Sequence, residues 1–212
     1  MSAREIRRVG VVGLGAMGGG IAQLAIEAGY ETVGREISEE LGAGARERIA
    51  HFLQRKVDKE QMTADARASA LASLSLTTEL ADFADCDLVI EAIVEDLQAK
   101  LELVAALEGI VRPDAILATN TSALSVTEIA AAVSTPERVV GMHFFNPAPL
   151  MPLVEIVRAE LSSDEAVEAA FAVGARMGKR PIRCHDTPGF VVNRVLIPLL
   201  NDCIRVLDEA RV

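Results

Sequence analysis

Val9-Gly10-Val11-Val12-Gly13-Leu14-Gly15-Ala16-Met17-Gly18 is the stretch whose reading decides the fold. The β-branched run Ile6–Val12 reads as a strand, and Gly13, Gly15 and Gly18 follow at the spacing GxGxxG. Ile21, Leu24, Ala25 and Ala28 then recur at helical spacing until Gly29 stops the pattern. Strand, tight turn and helix are the context this motif requires for dinucleotide binding. Gly13 permits the turn, Gly15 lets backbone and pyrophosphate approach, and Gly18 allows helix to pack on strand. Met17 sits in the same turn, where the helix N-terminus offers its partial positive charge to phosphates. A flexible loop can carry the same glycines, but it does not explain both flanks. The implied fold is α/β: a Rossmann-type, doubly wound, mostly parallel sheet.

Outward from this motif, the second strand Glu31–Arg35 ends at Glu36, in the window where an acidic residue takes the adenine ribose hydroxyls. A carboxylate there repels a 2′-phosphate, which favours NAD over NADP, although the neighbouring Arg35 works against that preference. Ser38–Val57 reads as a long helix carrying Arg46, Arg48, Arg55 and Lys56, with Lys59 just beyond it. These charges suit a solvated helix face, and they are also the best local partners for a phosphate-bearing substrate in an acidic chain. A helix near Thr63–Leu74 and a short strand at Ser75–Thr77 follow. Asp87–Ile93 is almost continuously apolar, as a buried parallel strand should be. A helix at Leu97–Val111 and a strand at Ala115–Ala118 come next, then Asn120-Thr121-Ser122. In open α/β sheets the ligand crevice lies beyond the carboxyl ends of the strands. Glu95, Asn120, Ser122 and His143 all fall at such ends, though each alone could serve as a helix cap.

Met142–Glu155, MHFFNPAPLMPLVE, carries the densest chemistry. An apolar strand delivers His143, and Pro147, Pro149 and Pro152 predict a rigid turn. A second apolar strand, Leu153–Val157, then has Glu155 at its centre. A carboxylate among aliphatic residues is costly to bury unless something pairs with it, and His143 is the candidate. Such a pair would fix one imidazole tautomer and stabilise its cation, as a general base needs. The competing reading is a core histidine beside a solvent-facing glutamate, and spacing leaves both open. Beyond this stretch the pattern predicts a helix at Asp164–Met177 and a strand at Pro181–Cys184. Asp186–Phe190 then opens a long apolar helix with Asn193 and Arg194 in its first turns.

Composition bounds what remains. The 212 residues are 50% hydrophobic but only 3% aromatic, so aliphatic side chains must fill the core. A net charge of −10 argues against a general nucleic-acid or anionic-membrane binder. Cys86, Cys184 and Cys203 show no metal spacing and read as packing thiols in a reducing compartment. No signal-peptide pattern or membrane-length apolar run is expected, so the predicted location is the cytoplasm. There is no internal repeat or low-complexity linker.

GLGAMGGGIAQ, LVIEAIVED, NTSALS, GMHFFNPAPLMPLVEIV and DTPGFVVNR, in this order and spacing, resemble the L-3-hydroxyacyl-CoA dehydrogenase family, including bacterial 3-hydroxybutyryl-CoA dehydrogenases. The similarity runs from Val9 to about Leu207, and HFFNP and DTPGFVVNR are far more specific than the glycine motif. The resemblance implies an NAD-dependent oxidoreductase of fatty-acid metabolism acting on a short-chain 3-hydroxyacyl-CoA. It implies that His143 is the catalytic base, Glu155 its dyad partner and Asn146 a residue supporting the site. Ser122 and Asn193 would hydrogen-bond the substrate. Gly13, Gly15, Gly18, Met17 and Glu36 would hold the cofactor, with Asp more usual than Glu at the last position. Glu95, Lys100, Asn120 and Ser122 would surround the nicotinamide half, and Lys59, with Lys56, would lie near the CoA nucleotide. The implied organisation is an NAD-binding domain at residues 1–186 and, at 187–212, the first helix of an all-α dimerisation domain that the family continues. That helix is expected to pack back on the sheet or to join a second chain as a homodimer. The alternative function is a non-catalytic or weakly active NAD-binding module.

Overall fold

The computed structural model of the chain describes residues 5–209. Its strands are β1 (Arg8–Val12), β2 (Glu31–Arg35), β3 (Leu74–Thr77), β4 (Leu88–Glu91), β5 (Ile116–Thr119), β6 (Val139–Phe144), β7 (Leu153–Arg158) and β8 (Arg180–His185). The helices are α1 (Ala16–Glu27), α2 (Glu39–Asp58), α3 (Ala64–Ala72), α4 (Leu97–Glu108), α5 (Val126–Ala130), α6 (Asp164–Arg176) and α7 (Val192–Glu209). Local chemistry sets where most of the helices begin. Ser38, Thr63, Asp96, Ser125 and Ser163 each accept a backbone N–H of their helix's first turn, satisfying a donor that would otherwise be orphaned.

All eight strands form one sheet in the order β3-β2-β1-β4-β5-β6-β7-β8. Every pairing is parallel except β6 with β7. The first six positions follow the Rossmann order, in which the chain reverses direction of travel between β1 and β4 and leaves a crevice there. Two apolar clusters sandwich the sheet. One packs α1, α2, α3 and α6 on one face through residues such as Ile21, Ile49 and Val173; the other packs α4 and α5 on the opposite face through Leu107 and Ile129. Strands β4, β5 and β6 are buried throughout, as their near-continuous apolar runs require.

The predicted elements are present, with ends displaced by a few residues. Helix α5 and two short 3-10 turns, Leu80–Phe83 and Pro136–Arg138, were not legible, being too short to show a period. One expectation is corrected. Helix α7 does not fold back on the sheet: none of its residues is buried, and Val195, Leu199 and Ile204 are 67%, 55% and 64% exposed. Its sequence segregates apolar from polar side chains along the helix, so this face is built to be covered rather than solvated. Positions 210–212 of the expected helix lie outside the described residues.

Candidate functional site

Two constellations form at the carboxyl edge of the sheet. The first is a cleft of about 900 Å³ at the reversal point, lined by Gly13, Gly15, Met17, Glu36, Glu95, Asn120 and Ser122. Its glycines are required for different reasons. Gly13 has φ +84°, and a Cβ on Gly18 would lie 1.7 Å from the Gly13 carbonyl oxygen. Those two positions are closed by the protein itself. A Cβ on Gly15, by contrast, would meet nothing within 4 Å, and the residue is exposed to the cleft. Gly15 caps α1, no side chain caps that helix among the described residues, and its first turn carries no acid. Free amides and the positive end of a helix dipole therefore face the cleft, a cradle matched to a pyrophosphate.

Glu36 lines the same cleft and accepts the Leu14 amide at 2.6 Å, so it ties the end of β2 to the glycine turn. A carboxylate has about four acceptor positions, which leaves room for ribose hydroxyls beside that bond. Arg35 also borders the cleft, but its Nε donates to the Thr78 carbonyl at 3.0 Å. The donor set thus fits NAD.

The second constellation is the histidine pair. The antiparallel register places His143 directly opposite Glu155, and the imidazole Nδ1 lies 2.7 Å from Glu155 Oε2. Both side chains are buried, Glu155 completely. Its other oxygen accepts the Val191 and Val192 amides at 3.0 and 2.9 Å, at the start of α7. Burial pushes the Glu155 carboxyl up, but the bonds from His143 and the two amides outweigh it and hold it below the usual carboxylate range. An ionised carboxylate only accepts, so Nδ1 carries the proton and Nε2 of the neutral ring is left as an acceptor. Phe145 and Phe190 flank the ring at centroid distances of 4.4 and 5.6 Å. Phe190 itself is buried with φ +50°, a strained backbone for an aromatic residue.

Ser122 links the two constellations. It borders the cleft, its carbonyl accepts Asn193 Nδ2 at 3.2 Å, and its amide donates to Glu95 Oε1 at 2.8 Å. Burial would raise the Glu95 carboxyl; hydrogen bonds from Thr121 and Ser122 and the nearby Lys100 charge lower it. Asn120 accepts the Phe144 amide at 3.0 Å, fixing the end of β5 beside the residue after His143.

Several predicted residues lie elsewhere. Gly18 is buried in the turn and does not line the cleft. Asn146 is exposed at the head of the proline turn, joined to Pro147 by a cis bond, and no hydrogen bond ties it to the dyad among the described residues. Lys56 is paired with Glu27, and Lys59 is exposed at the end of α2. The basic cluster on α2 is mostly committed: Arg46 donates to the Leu74 and Leu71 carbonyls and Arg48 to the Leu14 carbonyl. Arg46 and Arg48 thus spend donors on backbone acceptors, while Arg55 and Lys59 remain exposed. Lys100 is 1% exposed, bonded to Glu91, and does not border the cleft. Sequence reasoning missed Glu91, Thr119, Phe145 and Phe190. For Glu91 the signal was there, since it too is a lone carboxylate in an apolar strand.

Comparison with known proteins places these features in context. Residues 8–187 match the model of the 3-hydroxyacyl-CoA dehydrogenase NAD-binding domain. A 3-hydroxybutyryl-CoA dehydrogenase of Mycobacterium tuberculosis is 47% identical over 206 residues, covering 96% of this chain and 72% of the relative. A probable 3-hydroxybutyryl-CoA dehydrogenase of Deinococcus radiodurans is 44% identical over 202 residues, 95% of this chain and 72% of its own. Among solved structures, the (S)-3-hydroxybutyryl-CoA dehydrogenase of Ralstonia eutropha superposes with a TM-score of 0.96 at 41% identity, covering 98% of this chain and 74% of that one.

Proposed function

The chain belongs to the 3-hydroxyacyl-CoA dehydrogenase family, and from that premise we propose that it interconverts a short-chain L-3-hydroxyacyl-CoA and the 3-ketoacyl-CoA, with NAD as its cofactor. The observation that carries the reading is the buried His143–Glu155 hydrogen bond of 2.7 Å, with Nε2 of the imidazole left as an acceptor. The α1 N-terminus and Gly15 would hold the pyrophosphate, Glu36 the adenine ribose, and Glu95 and Asn120 the nicotinamide half. Bound NAD+ supplies the hydride acceptor for C3 of the substrate.

Every other step falls to the chain's own side chains. His143 Nε2 takes the proton of the 3-hydroxyl, and Glu155 stabilises the imidazolium that results. Glu155 stays ionised throughout, because three donors converge on it. Ser122 orients the hydroxyl, and Asn193 holds the Ser122 carbonyl in place. Phe145 and Phe190 keep water off the ring faces, which strengthens the His–Glu interaction. In the reverse direction the same imidazolium returns the proton to the keto oxygen. On the substrate's distal side, exposed Lys59 meets the CoA nucleotide. The free cysteines, Cys86, Cys184 and Cys203, support a cytoplasmic setting, and the exposed apolar face of α7 supports pairing of two copies.

The test is oxidation of NADH in the presence of acetoacetyl-CoA. His143→Gln is expected to lower kcat by at least about 10²-fold, the usual contribution of general acid–base catalysis, while NADH still binds. An unchanged kcat refutes the role of His143. A wild-type chain that binds NADH without turnover refutes the dehydrogenase reading and leaves a cofactor-binding module.

A further inference from the structure

The turn that joins the two dyad strands is gripped by a side chain that the proposed mechanism does not use. His143 and Glu155 stand one register position from the end of the β6–β7 ladder, where Phe144 pairs with Val154. Beyond that pair the chain leaves the ladder and runs through the proline turn, residues 145–152. The turn is closed within itself by the Pro147 carbonyl, which accepts the Leu150 and Met151 amides at 3.0 Å each. Two of its other carbonyls go to Lys179. Nζ donates to the Ala148 oxygen at 2.5 Å and to the Met151 oxygen at 2.9 Å.

Lys179 is itself well anchored. Helix α6 stops at Gly178, φ +75°, and the Gly178 and Lys179 amides bond back to the Ala175 and Gly174 carbonyls at 3.0 and 3.1 Å. The next residue, Arg180, donates its amide to the Pro152 carbonyl at 2.7 Å, so β8 meets the far end of the same turn. The Lys179 side chain is buried. Burial and the nearby Lys56 charge push its pKa down, and Glu27 opposes them. Bonds from an ammonium to carbonyls are charge-assisted, which offsets part of the cost of burying it. The turn also lies against α1. A Cβ on Gly20 would stand 2.9 Å from Pro149 Cδ and 3.1 Å from Ala148 Cβ.

We propose that Lys179 is a positioning residue for the dyad: by holding the Ala148 and Met151 carbonyls it seats the proline turn against α1 and keeps the end of the β6–β7 ladder closed beside His143 and Glu155. The proposal rests on the reading of His143 as the group that moves the proton. Ala148 follows His143 by five residues and Met151 precedes Glu155 by four, so a slip of the turn reaches both halves of the pair. Phe145, 4.4 Å from the imidazole, opens the same turn and shifts with it.

Lys179→Met keeps the aliphatic stem and removes the ammonium. Gly20→Ala leaves Lys179 in place and displaces the turn from the α1 side, so the test survives if Lys179→Met fails to fold. Arg176→Met is the control: it removes another tie from the end of α6 to backbone carbonyls, those of Ala28 and Gly29, without touching the turn. The chain has three histidines, and His51 and His185 are exposed. The buried His143 Nδ1–H is therefore read directly by NMR of protein labelled at its imidazoles. Expected in Lys179→Met and in Gly20→Ala is solvent exchange of that proton faster by about tenfold, with core amides such as Val11 unchanged. In both, kcat with acetoacetyl-CoA falls by a similar factor while the NADH Kd stays within about threefold. Arg176→Met is expected to leave all three readouts at their wild-type values. Unchanged Nδ1–H exchange in either folded variant overturns the proposal, as does an equal effect of Arg176→Met, accelerated exchange throughout the sheet, or a tenfold loss of NADH affinity. The imidazole signal needs no turnover, so a failure of the dehydrogenase reading, seen in His143→Gln, is distinguishable from a failure here.

Discussion

Replacing Glu155 by Gln keeps its shape and removes its charge, and the site's hydrogen bonding dictates where the new amide must point. Three donors converge on the carboxylate: His143 Nδ1–H at 2.7 Å and the Val191 and Val192 amides at 3.0 and 2.9 Å. Glutamine offers one acceptor oxygen and one donor amide. Turning the oxygen to the histidine would set its NH2 against two buried N–H groups, leaving both unsatisfied at about 1–3 kcal/mol each. Turning the oxygen to the amides satisfies both and presents NH2 to the imidazole. Nδ1 then becomes the acceptor, the ring proton moves to Nε2, and the nitrogen facing substrate can no longer take a proton. The same tautomer reversal in a serine-protease triad costs about 10⁴ in kcat, and a loss on the order of 10³–10⁴ is expected here. Glu155→Ala, which strands the imidazole and both amides, should instead destabilise the fold by about 3–5 kcal/mol. The assays are acetoacetyl-CoA-dependent NADH oxidation, NADH binding and thermal unfolding, side by side. NADH affinity should be unchanged in Glu155→Gln. A Glu155→Gln protein that keeps more than about a tenth of wild-type kcat would refute the tautomer argument.

Four further outcomes follow from the geometry. Gly15→Ala should fold with an unaltered melting temperature, since its Cβ meets nothing within 4 Å, yet bind NADH at least about tenfold more weakly; equal loss of stability and binding would contradict the cradle. Gly18→Ala places a Cβ 1.7 Å from the Gly13 oxygen and should cost about 1–3 kcal/mol in denaturant unfolding, with a wild-type midpoint as the contrary result. Glu108 has its carboxyl pushed up by burial but drawn down more strongly by the Ser134 amide and the Thr135 and Ser134 hydroxyls, from 4.5 to about 2. Because the folded value is depressed, its stabilisation is full above about pH 4.5 and is lost as pH falls towards about 2, so Glu108→Gln should flatten that limb of the stability curve. Leu199→Asp, on a helix face already 55% exposed at that position, should leave melting unchanged and shift any self-association seen by sedimentation towards monomer; a dimer that survives Leu199→Asp places the contact elsewhere.

The sheet was legible because its strands obey a strong rule: parallel strands buried on both faces are apolar throughout, and Val9–Val12, Leu88–Ile90 and Ile116–Ala118 are. The glycine turn was legible because two of its three positions are forced by the backbone. The histidine pair was half legible. Spacing allowed a core histidine and a surface glutamate, and only the antiparallel register, with complete burial of Glu155, decides between them. The same argument applied to Glu91 would have exposed its buried ion pair, but its partners Lys100 and Thr119 are nine and 28 positions away on separate elements, where no period connects them. Charge on α2 is only partly informative for a related reason. An arginine's charge is visible in the sequence, whereas the carbonyls that occupy Arg46 and Arg48 are products of the fold.

Glu155 also carries a consequence that spacing could not reveal. The carboxylate that sets the His143 tautomer is the acceptor for the amides that begin α7, and Asn193 on that helix holds the Ser122 carbonyl. The helix and the dyad therefore cannot reorient independently: tilting α7 withdraws donors from Glu155 and displaces Ser122 in the same motion. The backbone between them takes positive φ at Gly189 (+76°) and at Phe190 (+50°), and Phe190 is buried with its ring 5.6 Å from the imidazole. Strain at such an elbow persists only where the surroundings over-determine it. Here the surroundings are the Phe190 core contact on one side and the two amide bonds on the other. Whatever covers the apolar face of α7 is thus mechanically connected to His143, the group proposed to transfer the proton, through three hydrogen bonds and one aromatic ring.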